Sequence, residues 1–213
     1  MPERFPMTNL FPHEEFDDWA ESYDASVSND QFPFTGYQKV LTELVALAQV
    51  RPGMSVLDLG TGTGNLAAGF ARLGCKLWCT DFSEPMLVQA RQKLPQAHYI
   101  QHDLHSDLPV DWQCPFDRIV SAYVFHHFEL DEKIRLLRGL LPRLAPGGRM
   151  LIGDIAFQNQ AALDQVKVEA GEGWEDEFYW LVDQSMPALK KACLQASYLQ
   201  ISSCAGIFVL SIP

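Results

Sequence analysis

Apolar positions along this chain switch repeatedly between helical spacing and short continuous runs. In FDDWAESYD, Phe16, Trp19 and Tyr23 recur at spacings of three and four, which predicts one helix face. NDQFPFTG (29–36) breaks that pattern with Pro33 and Gly36. In YQKVLTELVALAQV, Val40, Leu41, Leu44, Val45 and Leu47 form an amphipathic stripe, and Arg51-Pro52-Gly53 stops it. From there strands and helices alternate. The pattern predicts strands over 55–59, 76–80, 98–102, 117–123 and 149–155. Between them it predicts helices over about 64–73, 84–93 and 131–144, with Ser83 as an N-cap and Pro85 in the first turn after it. Pro142 is a defect in the last of these and marks a kink or an early end. Helices are expected between about 158 and 195. The chain then closes with YLQISSC and IFVLSI, read as a hairpin turning at Ala205-Gly206.

This alternation implies right-handed strand–helix–strand crossovers and a mostly parallel α/β sheet covered on both faces, ending in an antiparallel hairpin. Ligands of such sheets bind beyond the carboxyl ends of the strands. The 213 residues fit one domain, with 1–36 as a helical N-terminal section and 37–213 as its body.

A net charge of -11 argues against a phosphate-backbone partner, so nucleic acid is not expected. No run of apolar residues approaches a membrane span, and the N-terminus does not read as a secretory signal. Cys75, Cys79, Cys114, Cys193 and Cys204 are odd in number and contain no C-x-x-C, which fits reduced thiols in a cytoplasmic protein. No His/Cys cluster has zinc-site spacing, so no metal is expected.

Candidate chemistry gathers at the strand ends. SVLDLGTGTGN sets Gly60, Gly62 and Gly64 directly after an apolar strand carrying one acid, Asp58. Glycines there let bare main chain approach a ligand and permit positive φ. A dinucleotide fingerprint would need glycine where Asn65 stands. Asp81 closes the second strand, where a carboxylate can accept from ribose hydroxyls or else cap the helix at Ser83. Asp103 closes the third, where it can accept from a base amine or make an Asx-turn.

Together these stretches resemble the class I S-adenosylmethionine-dependent methyltransferases. VLDLGTGTGN is similar to the family's first motif and CTDFSEPMLVQARQK to its second. QHDL and FDRIVSAYVFHHF resemble the third strand end and the fourth strand, and LLPRLAPGGRMLIGD the helix, turn and fifth strand. The likeness covers about residues 37–156, and FDDWAESYD resembles the N-terminal helix of small-molecule members. The whole chain resembles a small group of uncharacterised bacterial methyltransferases, some associated with methionine-to-cysteine recycling. The resemblance implies a three-layer Rossmann-like fold, a helical lid over 1–36 and S-adenosyl-L-methionine as cofactor. It sets Asp58 two residues before the first glycine and lays Gly60, Thr61 and Gly62 against the methionine part. It gives the ribose to Asp81, flanks the adenine with Phe82 and Met86, and has Asp103 and the Leu104 amide read its edge. Ala122 and Tyr123 would border the sulfonium.

Methyl transfer needs a base only if the acceptor must lose a proton. His126 and His127, just past the fourth strand, are the candidate bases, and Tyr23 a candidate lid residue; packing roles are the alternatives. GEGWEDEFYWLVD reads either as an acidic cover suiting a cationic or amine-bearing acceptor, or as a helix with Trp174, Phe178 and Leu181 inward. SAYVF is not the Asn/Asp-Pro-Pro-aromatic motif of amino-group DNA enzymes, and Cys114-Pro115 reverses the order used by cytosine-carbon enzymes, so Cys114 reads as structural. A small-molecule acceptor is therefore expected, with a homodimer left open. The alternatives are a non-catalytic cofactor-binding module and an NAD(P)-dependent oxidoreductase, the latter disfavoured by Asn65 and by the lack of Y-x-x-x-K.

Overall fold

The structure is a computed structural model that describes residues 13–109 and 115–211. Cys114 lies outside the described residues. The chain opens with α1 (His13–Trp19), α2 (Tyr23–Ser26) and α3 (Tyr37–Ala48). It continues as β1 (Ser55–Leu59), α4 (Asn65–Arg72), β2 (Lys76–Asp81), α5 (Glu84–Lys93) and β3 (His98–Gln101). Then come β4 (Phe116–Ala122), α6 (Leu130–Leu140), β5 (Leu144–Phe157) and α7 (Gln160–Ala170). The last elements are β6 (Trp180–Leu181), α8 (Val182–Lys191), β7 (Gln195–Gln200) and β8 (Ala205–Ser211).

The sheet runs β3-β2-β1-β4-β5-β8-β7, with β6 added beside β5. All pairings are parallel except β5–β8 and β7–β8. Alternate residues of β1 serve opposite faces: Val56 packs with α3 and α4, Leu57 with α6 and α8. That two-sided burial is what makes the strand read as a continuous apolar run. The order reverses at β1, whose neighbours are β2 and β4, so the crevice for a ligand opens above β1 and β4.

Local chemistry sets the helix starts. Ser83 Oγ accepts from the Met86 amide at 3.3 Å, and Pro85 follows in the first turn. Glu129 and Glu132 form a reciprocal capping box at the start of α6.

Four local expectations change. The helix expected from Phe16 to Tyr23 is two short helices broken at 20–22, although Phe16, Trp19 and Tyr23 do face one cavity. Pro142 ends α6 at Leu140 in a tight 3₁₀ turn, so Leu144 begins β5 instead of finishing a helix. The final hairpin turns at 201–204, where the Ile201 and Ser202 amides reach the Ala205 carbonyl; Ala205 and Gly206 are already strand. Residues 174–179 are not a helix but an extended crossing that leads into β6.

The N-terminal section is tied to the body through Asp24. Its carboxylate accepts from Thr63 Oγ1 at 2.6 Å, Asn65 Nδ2 at 2.9 Å and Lys93 Nζ at 2.5 Å. These contacts hold α2 against the glycine loop and the ends of α4 and α5. The Asp24 side chain is half exposed, so little global stability rests on it. Asp24→Ala is expected to leave Tm within about 4 °C, since an exposed ion pair contributes at most about 1 kcal/mol. It should nonetheless speed protease cleavage within residues 13–36, read by mass spectrometry of a limited digest.

Candidate active site

Sequence chemistry and backbone geometry meet first at the glycine loop. Gly60, Gly62 and Gly64 all have positive φ, between 53° and 85°. The Thr61 amide donates to the Thr80 carbonyl and fixes the loop to β2. Below it, Asp58 is buried and accepts from Thr61 Oγ1 at 2.7 Å. Burial pushes the Asp58 carboxyl up to about 7, against the lowering effect of Thr61. Asp81, at the end of β2, accepts from the Gly62 amide at 2.8 Å and the Ser83 amide at 3.0 Å. Its burial raises the carboxyl to about 6, despite those two amides. Asp81 therefore does organise the cap before α5, and it also reaches the loop and the cavity.

That cavity measures about 470 Å³. Gly60, Gly62, Asp81, Phe82, Met86, Asp103 and Leu104 line one end. Asp103 also accepts from the His105 amide at 2.9 Å, the expected Asx-turn, while still facing the cavity. Ala122, Tyr123, His126, His127 and Glu177 line the other end. Phe16, Trp19, Tyr23 and Phe34 cover it from the N-terminal section, and Glu175, Glu177 and Tyr179 from the extended crossing. The two covers meet where Phe32 stacks on Trp174, with rings 4.8 Å apart and 12° from parallel.

The second end is a buried polar cluster. Tyr123 sits at φ 58°, uncommon for an aromatic residue, with its hydroxyl buried and unbonded among the described residues. Next to it a short turn, Phe125–His127, projects the two histidines. His126 Nδ1 lies 2.6 Å from Asp154 Oδ1, and Trp180 Nε1 donates to Asp154 Oδ2 at 2.8 Å. Burial disfavours charge on His126, but Asp154 and Glu177 outweigh it and raise its pKa. Burial and the adjacent His126 instead lower His127 to about 4, leaving it neutral. Glu177 faces both rings, 3.6 Å from His126 Nε2 and 3.5 Å from His127 Nδ1. The crossing that carries Glu177 is pinned by main chain: Phe178 N donates to the His126 carbonyl at 3.0 Å, and Lys133 donates to the Phe178 carbonyl. Lys133 is buried beneath the Trp180 ring, which lowers its pKa to about 8.

The profile of the methyltransferase domain family matches residues 56–148. An uncharacterized methyltransferase of Geobacillus kaustophilus is 32% identical over 197 residues, covering 87% of this chain and 89% of its own. The chain belongs to the class I S-adenosylmethionine-dependent methyltransferases. A second such relative, from Anoxybacillus flavithermus, is 34% identical and covers 73% of the chain and 72% of its own length. Among solved structures, the DhpI–SAM–HEP complex superposes with a TM-score of 0.75 at 18% identity, covering 98% of this chain and all of that one. Magnesium protoporphyrin IX methyltransferase of Synechocystis with bound SAH gives 0.72 at 18% identity, over 93% and 96% of the two chains.

In this methyltransferase most residues singled out from sequence share the one cavity. Asp58 and Thr61 are the exceptions: they lie beneath the loop and brace it, absent from the lining. Tyr23 lines the cavity, and burial holds its phenol well above the usual pKa. Both histidine rings are largely enclosed. Asp154, Glu177 and Lys133 were missed. A carboxylate inside the apolar run of β5 was a usable signal for Asp154. Nothing local marks Glu177 or Lys133, which reach the site through a crossing and a helix face.

Proposed function

We propose that this methyltransferase transfers the methyl group of S-adenosylmethionine to a small molecule seated between Tyr123 and the His126–His127–Glu177 cluster. The observation that carries the reading is the single roofed cavity, with a glycine-and-acid cradle at one end and a polar cluster at the other. The residues present suit the cofactor. Gly62 offers bare main chain with nothing within 4 Å of where a Cβ would stand. Asp81 keeps lone pairs toward the cavity to accept ribose hydroxyls, Phe82 and Met86 would flank the adenine, and Asp103 with the Leu104 amide would read its edge. Ala122 and Tyr123 would border the sulfonium.

Bound S-adenosylmethionine supplies a methyl carbon already activated by its sulfonium. The chain's contribution is alignment, and positioning of this kind can supply about 7–11 kcal/mol. At the acceptor end, His126, His127 and Glu177 converge on the reacting heteroatom, with Asp154 and Trp180 holding His126 in orientation. The acidic cover does not act as a simple cation trap, because Glu177 faces the histidines and Asp176 pairs with Lys167 at 2.7 Å.

Methyl-labelled S-adenosylmethionine, incubated with size-separated fractions of a cell extract, tests the reading. Label is expected in the small-molecule fraction; label confined to protein, RNA or DNA would overturn it. A pH dependence follows from Asp81. Only its ionised form can accept from both ribose hydroxyls, so S-adenosylhomocysteine affinity should fall as pH drops through about 6. Stability should move oppositely. Folded Asp81 binds a proton that the unfolded chain has released, so its contribution is full below about 4 and is lost as pH rises through about 6. Calorimetric titration between pH 5 and 8 checks the first claim, and a flat affinity would contradict it.

A further inference from the structure

We propose that His126, His127 and Glu177 form a binding site for a divalent first-row cation at the acceptor end of the cavity. One donor atom from each side chain lies within 4.8 Å of the others. Glu177 Oε2 stands 3.6 Å from His126 Nε2, and its Oε1 stands 3.5 Å from His127 Nδ1. Both separations exceed the usual hydrogen-bond length of about 2.7–3.2 Å. Each is close to an edge of a coordination polyhedron, since a tetrahedral cation about 2.1 Å from each ligand has edges of about 3.4 Å, and the two oxygens of Glu177 span the two rings.

Two nitrogens and one carboxylate are a donor set suited to zinc or neighbouring divalent ions. The support behind the ligands is also of metal-site type. Asp154 lies against the remaining nitrogen of His126 at 2.6 Å and is itself held by Trp180 Nε1. A carboxylate behind a ligating histidine fixes its tautomer and ring orientation. Glu177 cannot drift away, because the main chain next to it is bonded to His126 and Lys133. Local sequence spacing could not reveal the site, since its third ligand stands 50 residues after the histidine pair and arrives through the extended crossing.

Three protein ligands leave coordination positions open, and here they face the cavity. The cation's remaining partner is then an oxygen of the acceptor, one that is anionic or becomes so near a cation. This part rests on reading that end as the acceptor's seat.

The test uses the full, tag-free chain stripped with chelator. Cobalt(II) is titrated by visible absorption and zinc by calorimetry, with S-adenosylhomocysteine titrated separately into the same protein. One cobalt per chain with a tetrahedral or five-coordinate spectrum is expected. Glu177→Gln and His127→Ala should each weaken cobalt binding by more than tenfold. Asp154→Asn should weaken it about 10- to 100-fold as a positioning effect. Circular dichroism checks that each variant is folded; Glu177→Gln lies in a non-helical segment and is the variant least dependent on packing. No stoichiometric cobalt binding, or binding that survives both Glu177→Gln and His127→Ala, overturns the site. Should the protein bind S-adenosylhomocysteine but fail to bind cobalt, the cation is overturned and the transferase reading stands; should it bind cobalt but not S-adenosylhomocysteine, the reverse holds.

Discussion

Asp81→Ala is expected to weaken S-adenosylhomocysteine binding by roughly 10- to 100-fold. The carboxylate faces the cavity from the end of β2 and already accepts the Gly62 and Ser83 amides. Hydrogen bonds to a charged group contribute about 1.5–3 kcal/mol, which sets the size of the effect. The fold is affected in two opposing ways. Removing a buried acid relieves its burial cost, while two main-chain amides lose their acceptor, at about 1–3 kcal/mol for each that stays dry. Asp81→Asn keeps one acceptor oxygen and should fall between wild type and alanine. Isothermal titration of the three proteins decides the matter. Equal affinities would reduce Asp81 to a device for shaping the loop and capping α5.

The second large effect separates two glycines of one loop. Gly60 has φ 63°, and a methyl built there meets Val124 Cγ2 at 2.3 Å. Alanine at that position combines a left-handed backbone, about 1–2 kcal/mol, with overpacking of about 1–3 kcal/mol. Gly60→Ala should therefore cost roughly 2–5 kcal/mol of folding stability and abolish binding as a consequence. Gly62 has φ 53° and nothing within 4 Å, so its methyl projects into open space beside the cavity. Gly62→Ala should cost only the backbone contribution, about 1–2 kcal/mol, yet weaken S-adenosylhomocysteine disproportionately. Paired melting and titration curves would show it. Gly62→Ala with wild-type affinity would remove that main chain from the cofactor's path.

Much of the glycine-and-acid end of the cavity was legible in the sequence, and the reason is physical. A parallel strand buried on both faces must be almost wholly apolar, so an acid inside it or at its end stands out, as Asp58 and Asp81 do. A loop that needs positive φ announces itself by glycine. The opposite end lacks such local signatures. Its histidines were visible as a pair, but their partners come from β5, α6 and the crossing before β6, and periodicity says nothing about which of these will meet. The crossing itself was misread as helical because Trp174, Phe178 and Leu181 have helical spacing. In the structure those residues are partly buried along an extended path whose main chain is bonded to His126 and Lys133. The helix end expected at 144 and the closing turn were boundary errors, each shifting an element end by a few residues, while Pro142 did end its helix early.

Phe32 and Trp174 are far apart in sequence and stacked face to face above the cavity. Through that contact the segment anchored by Asp24 near the glycine loop leans on the segment that carries Glu177. A ligand that orders one cover is then expected to order the other, coupling the two ends of the cavity. Thermodynamic reciprocity then requires that the gain in acceptor affinity caused by the donor equal the gain in donor affinity caused by the acceptor.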